Sequence, residues 1–264
     1  MVQFCNVPCV TPLASAVMAD IPLSENALLN AVGIDGCRAG WVIAFRDGKE
    51  IRLVIIAQLS DLNDLLHPHA SVMIDMPIGL TDGPSVRGCD ALAREKLRPH
   101  RSSSVFGVPA RQVTRCNDYS QANALSRELS GKGISKQAFY LFPKIRELDD
   151  WLSSRDRRGR WSECHPEVAF ASLNGGEPLT ESKKTEAGNQ ARQALLAELG
   201  VFEPAIEKSL ATYRRRDVLA DDLLDALVCL LTAERQPNDR QHLPEYAPVD
   251  ERGLTMEIVA PALS

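Results

Sequence analysis

A chain of 264 residues, 44% hydrophobic and 25% charged, has room for a real hydrophobic core in one large domain or two small ones. No apolar run approaches the ~18–20 residues of a membrane span, and the N-terminus lacks the basic region and long apolar stretch of a secretory signal. A formal net charge of −5 gives no global sign of nucleic-acid binding, so only a local basic patch can suggest one.

Residues 1–29 read as a poorly ordered tail, with Met18 as an alternative start. The seven cysteines are odd in number and scattered, with no C-x-x-C pair, which argues against a structural zinc site. Free thiols point to a reducing, cytoplasmic setting.

The stretch 30–57 predicts three strands. "NAVGIDGC" is an apolar run closed by Gly-Cys. "GWVIAFRDG" ends on Asp47-Gly48, a hairpin signal, and "EIRLVIIAQL" is rich in Ile and Val. A short helix follows over 58–67, capped by Ser60 or Asp61, and then a fourth strand, "SVMIDMP", stopped by Pro77. Three hairpin strands crossing over to a fourth imply a mixed sheet with helices packed on it.

From 85 to 155 the pattern turns helical and basic, with helices in "DALAREKL", "YSQANALSREL" and "SKQAFYLFPKIRELDDWLSS", the last kinked at Pro143. "GRWSECHPE" fits a fifth strand cut off by Pro166. Residues 183–199 form an Ala-rich helix, and 216–235 a long, strongly apolar one. The expected organisation is one α/β domain over 30–264 with a helical insertion near 85–155.

Carboxylates in apolar surroundings are the first functional signal, because a lone buried carboxylate is costly or is forced neutral. Asp35 ends the first strand, Asp75 the fourth, and Glu163 lies near the end of the fifth. On the last helix, at ~100° per residue, Asp221, Asp222 and Asp225 share the one arc left by the leucines, beside Val218 and Cys229. That arc is either a solvent window or the wall of a polar cleft. Converging carboxylates can share Mg²⁺ or Mn²⁺, which take oxygen ligands and need only two or three of them from protein. Each has a plain structural alternative. Asp35 suits a turn aspartate bonding the backbone of Gly36 and Cys37. Asp75 suits a strand-end cap, and Glu163 a solvated face shared with Trp161 and His165. His165 reads as a hydrogen-bonded structural histidine, and Glu167 as a favourable charge in a first helical turn.

The second signal is a local reversal of sign. Arg87, Arg94, Lys96, Arg98, Arg101, Arg111 and Arg115 are opposed only by Asp90 and Glu95 between residues 87 and 115. Guanidinium groups bind phosphate bidentately, and Ser102 and Ser103 in "HRSSSVFG" add hydroxyls and close backbone amides. The alternative is a charged helix face with a polar loop. Phe106 and Tyr119 suit base stacking or the core, and "RRRD" at 214–217 suits a surface.

At "GIDGCRAGW", "IDMPIGL", "ECHPE" and "DDLLDAL" the chain resembles the bacterial and archaeal proteins grouped as domain of unknown function 429, taken to be nucleases of RNase H-like fold. "CDALAREKLRPHRSSSVFGVPAR" and "SKQAFYLFPKIRE" extend the resemblance, which spans roughly residues 30–260. It implies a five-stranded mixed sheet with flanking helices. It also implies catalytic carboxylates on the first strand (matching Asp35), the fourth strand (Asp75) and a late helix (Asp222 and Asp225), with Glu163 belonging to the family's own "ECHPE" motif.

The leading expectation is a metal-dependent nuclease. Asp35, Asp75, Asp222 and Asp225 would ligate Mg²⁺ or Mn²⁺, with Glu163 beside them. Arg87, Arg94, Arg98, Arg101, Ser102 and Ser103 would hold the backbone of a nucleic acid. The competitors are a phosphotransferase of the actin-like or sugar-kinase kind, in which an Asp-Gly turn on the first strand faces ATP phosphates, and a non-catalytic module that binds nucleic acid or nucleotide.

Overall fold

The computed structural model describes residues 28–154, 157–201 and 204–263. Most of the expected tail, and Met18 with it, lies outside the described residues. The first strand, β1, runs Leu29–Cys37, followed by β2 (Gly40–Asp47) and β3 (Glu50–Ile56). Both links are tight antiparallel hairpins, Cys37 pairing with Gly40 and Asp47 with Glu50. Gly48 turns the second at φ +62°, a conformation that a side chain resists.

The expected helix at 58–67 is a 3₁₀ segment, Leu59–Leu65. Its cap is Gln58, whose amide donates to the Asp61 carboxylate at 3.1 Å, so Asp61 acts from the third position of the turn. Strand β4 (Leu66–Ile74) starts earlier than expected, because its polar "HPHA" opening hides the strand pattern. It lies parallel to β1, and β5 (Arg160–Glu163) lies parallel to β4. The sheet order is β3-β2-β1-β4-β5, the mixed five-stranded arrangement expected of an RNase H-like fold.

Alternation along the strands separates two cores. Val32, Ile34, Trp41, Ile43, Phe45, Val72 and Ile74 face one side, against Phe142, Ile145, Leu148 and Leu152. Val42, Ala44 and Met73 face the other, against the last long helix. Each fully buried Val, Ile, Leu, Phe or Met side chain among them contributes roughly 1.5–3 kcal/mol.

The basic insertion is shared between both faces. Helix α1 (Gly88–Lys96) buries Cys89 and Ala93 on the side of the last helix. The short α2 (Arg111–Thr114), α3 (Tyr119–Ser130) and α4 (Lys136–Leu152) cover the opposite face. Helix α4 runs through Pro143. Tyr119 and Phe106 pack beside this second core.

After β5, α5 (Pro166–Leu173), α6 (Glu186–Glu198), α7 (Pro204–Thr212) and α8 (Ala220–Glu234) complete the first layer. Two short strands, β6 (Arg240–Leu243) and β7 (Ile258–Pro261), form a separate antiparallel pair that the sequence reading missed. Among the described residues no helix is long and apolar enough to cross a membrane, and the five cysteines present are free thiols.

Candidate metal centre

Because β1 and β4 are parallel, their carboxyl ends share one edge of the sheet. Ile34 pairs with Ile74, and the Asp75 amide donates to the Ile34 carbonyl at 2.9 Å. Asp35 and Asp75 therefore stand side by side. The third carboxylate comes from α8. At Gly33 the helix lies flush on β1: a methyl there would collide with the Ala226 carbonyl and the Leu230 amide. Two residues further on, the same strand face presents Asp35, and one turn back along α8 is Asp225. The close approach that only glycine allows is what sets the two acids against each other.

Carboxylate oxygens of Asp35, Asp75 and Asp225 lie within 4.8 Å of one another. Asp35 is 7% exposed and Asp225 1%. One Asp35 oxygen accepts the Gly36 amide at 2.7 Å, so the turn role and membership of the cluster coexist. Burial, with Asp75 and Asp225 adjoining, raises Asp35 well above the usual carboxylate range. Burial, with Asp225 next, pushes Asp75 up to about 8. Burial also raises Asp225, against the pull of Lys183.

Lys183 is the feature that sequence reasoning missed. It precedes α6, and its ammonium donates to Oδ2 of Asp225. Burial works against its charge, but Asp225, Asp35 and Asp75 outweigh it and hold the amine protonated. The other oxygen of Asp225, Oδ1, is buried with no hydrogen-bond partner among the described residues. Three close carboxylates, an oxygen left bare and an all-oxygen donor set fit a hard divalent cation.

The remaining expected ligands stand differently. Asp222 is half-buried in the first turn of α8, where one oxygen accepts the Leu219 amide at 2.9 Å and caps the helix. Burial raises it to about 6, against that hydrogen bond. It flanks the three-carboxylate group without belonging to it.

Glu163 pairs with Ile74 across β5 and β4. Its Oε2 accepts from Arg87 and from the Ile78 amide at 2.9 Å. Burial raises Glu163 to about 7, with Arg87 opposing. This corrects the expectation for Arg87, which is 2% exposed and committed to Glu163 and Asp90. Its guanidinium is turned inward, where phosphate does not reach.

Of the other basic residues, Arg94 donates to the Val105 carbonyl at 3.0 Å. Arg101 sits 3.6 Å from Glu167, whose two oxygens both accept from Nη2 of Arg192, at 2.7 and 2.8 Å. Glu167 is thus the buried centre of an ion pair as well as a first-turn charge. Arg98 is exposed and has no ion pair among the described residues. Ser102 and Ser103 lie on a 3₁₀ turn, Ser102–Ser104, Ser103 being exposed. His165 stands at the N-cap position of α5 without a capping hydrogen bond from its side chain, and burial lowers it to about 4, so it is neutral at pH 7.

No curated protein and no solved structure matches the chain. A family profile described as "Protein of unknown function (DUF429)" matches residues 33–248 and spans Asp35, Asp75, Glu163, Lys183 and Asp225. The chain therefore belongs to the DUF429 family.

Proposed function

We propose that the protein is a divalent-metal-dependent phosphodiesterase acting on nucleic acid. The observation that carries this reading is the meeting of Asp35, Asp75 and Asp225 within 4.8 Å, with one Asp225 oxygen buried and unpartnered. These three residues would hold Mg²⁺ or Mn²⁺. The cation would supply a Lewis acid for a phosphate oxygen and lower the pKa of a bound water.

The chain's own residues set the stage. The backbone of β1 and β4 and the close packing of α8 on Gly33 fix the carboxylates before any ligand arrives. The Arg87–Glu163 pair braces the end of β5 beside Asp75, which makes Glu163 a positioning residue. Arg98, Arg101, Ser102 and Ser103 remain the groups for the phosphate backbone, joined by Arg94 once it leaves Val105.

The test is hydrolysis of single- and double-stranded DNA and RNA with Mn²⁺, Mg²⁺ or chelator. Metal-dependent cleavage by wild type that Asp35→Asn loses supports the reading. No cleavage of any of these substrates with either metal removes it.

A further inference from the structure

Lys183 occupies a peculiar place for a lysine. Its ammonium reaches into a cluster of three carboxylates and pairs with Asp225, which is 1% exposed. Its backbone is pinned: the Asn189 side chain donates to the Lys183 carbonyl at 2.9 Å, and the Thr185 amide donates to the Ser182 carbonyl at 2.9 Å. Gly188 lies so close to Ser182 that a side chain there would strike the Ser182 carbonyl. The side chain itself remains 30% exposed. A fixed stem with a partly exposed arm lets the ammonium enter or leave by rotamer change alone, without moving the backbone.

The charges do not balance around it. Among the described residues one ammonium faces three carboxylates, and Asp225 Oδ1 still has no partner. A structural ion pair would saturate its acid; this one leaves capacity for a stronger cation. We propose that Lys183 is a tethered counter-ion, which holds the carboxylates together while the site is empty of metal and must release Asp225 when a divalent cation binds. Lys183 then sets the metal affinity, and the freed ammonium stands at the mouth of the site, where an anionic phosphate approaches. This rests on the metal reading above and adds a role that the carboxylates alone do not require.

Two measurements test it. The first is calorimetric titration of Mn²⁺ into wild type, Lys183→Met and Lys183→Gln. If the paired form holds about nine-tenths of the population, removing the lysine tightens Mn²⁺ binding about tenfold. The second uses wild type alone and does not depend on a variant folding. An amine-acylating reagent is applied with and without saturating Mg²⁺, and modification is read by mass spectrometry against Lys49, an exposed control. Lys183 modification should rise several-fold with Mg²⁺ while Lys49 stays constant. Metal binding with unchanged Lys183 reactivity, or equal or weaker Mn²⁺ affinity in both variants, overturns the lysine role and leaves the metal site standing. Binding by the variants but not by wild type supports the lysine role in its strongest form. If neither wild type nor variants bind Mn²⁺ at millimolar concentration, the metal reading and this proposal fall together.

Discussion

Two clusters of acids with buried members are solved in opposite ways in this protein. Around Arg111, Asp82 and Asp250 accept from the guanidinium at 2.5 Å each and Asp149 at 3.1 Å, with Arg115 and Arg252 also reaching Asp149. Asp250 further accepts the amides of Leu80, Arg252 and Leu254. Burial alone would push Asp250 up, but those amides and Arg111 outweigh it and hold it below the usual range. At the carboxyl edge of the sheet, among the described residues, Asp35, Asp75 and Asp225 share a single lysine, all three lie above the usual range, and one oxygen has no partner. The first cluster is saturated and ties the C-terminal segment to α2 and α4. The second is left short of positive charge. Buried acids by themselves say little; the number of donors that face them separates a staple from a site.

The sharpest way to break the contrast is to remove Arg111. Arg111→Met removes the guanidinium that joins Asp82, Asp149 and Asp250 and should cost about 1.5–3 kcal/mol, read by urea unfolding, because Arg115, Arg252 and three backbone amides still face the acids. Mn²⁺ affinity should be unchanged if the variant is folded.

The opposite sign is expected at the sheet edge. Asp75→Asn removes one of three repelling charges, so in chelator at pH 8 it should stabilise the protein by about 1–2 kcal/mol. It should also abolish Mn²⁺ binding. A stability loss at pH 8 would mean that the cluster is saturated like the one at Arg111.

The pH dependence follows from the same imbalance. The folded pKa of Asp75, about 8, is raised above its ordinary 3.8. Its contribution to stability is therefore fully present below pH ~4 and is lost as pH rises through 8. Glu163, raised to about 7, acts in the same direction. Melting temperature in chelator should fall between about pH 4 and 8 and level off above. Mg²⁺ should restore it increasingly at the alkaline end, because metal binding requires the ionised carboxylates. A flat profile that Mg²⁺ does not move would contradict this.

The smallest effect is expected at the surface. Arg98→Ala should change stability by less than about 0.5 kcal/mol. It should lower nucleic-acid affinity and reduce the salt slope by about one ion, measured by fluorescence anisotropy.

The sheet and two of the three carboxylates were legible because their signals are local. Asp47-Gly48 marks a hairpin in four residues, and Asp35 and Asp75 each interrupt an apolar run at a strand end. Asp225 was legible through helical spacing, but that spacing placed Asp222 on the same arc. The cap to Leu219, and a place outside the three-carboxylate group, separate Asp222 from Asp225. What stayed hidden depends on partners far apart in the chain. Arg87 counts as a surface charge until Glu163, 76 residues on, takes its guanidinium. Lys183 sits in an unremarkable "SKK", 42 residues from the aspartate it pairs with. The β6–β7 pair was missed because four-residue strands among prolines carry almost no periodicity. Sequence spacing located the charges, and the tertiary fold decided which of them are neutralised.

Whether Asp35, Asp75 and Asp225 hold a divalent cation is tested most directly by calorimetric Mn²⁺ titration of wild type, Asp225→Asn and Asp222→Asn. The expected result is saturable binding by wild type, none by Asp225→Asn, and binding retained by Asp222→Asn, whose carboxylate caps α8. Absence of binding at millimolar Mn²⁺ in both wild type and Lys183→Met, or equal binding by Asp225→Asn and wild type, would contradict it.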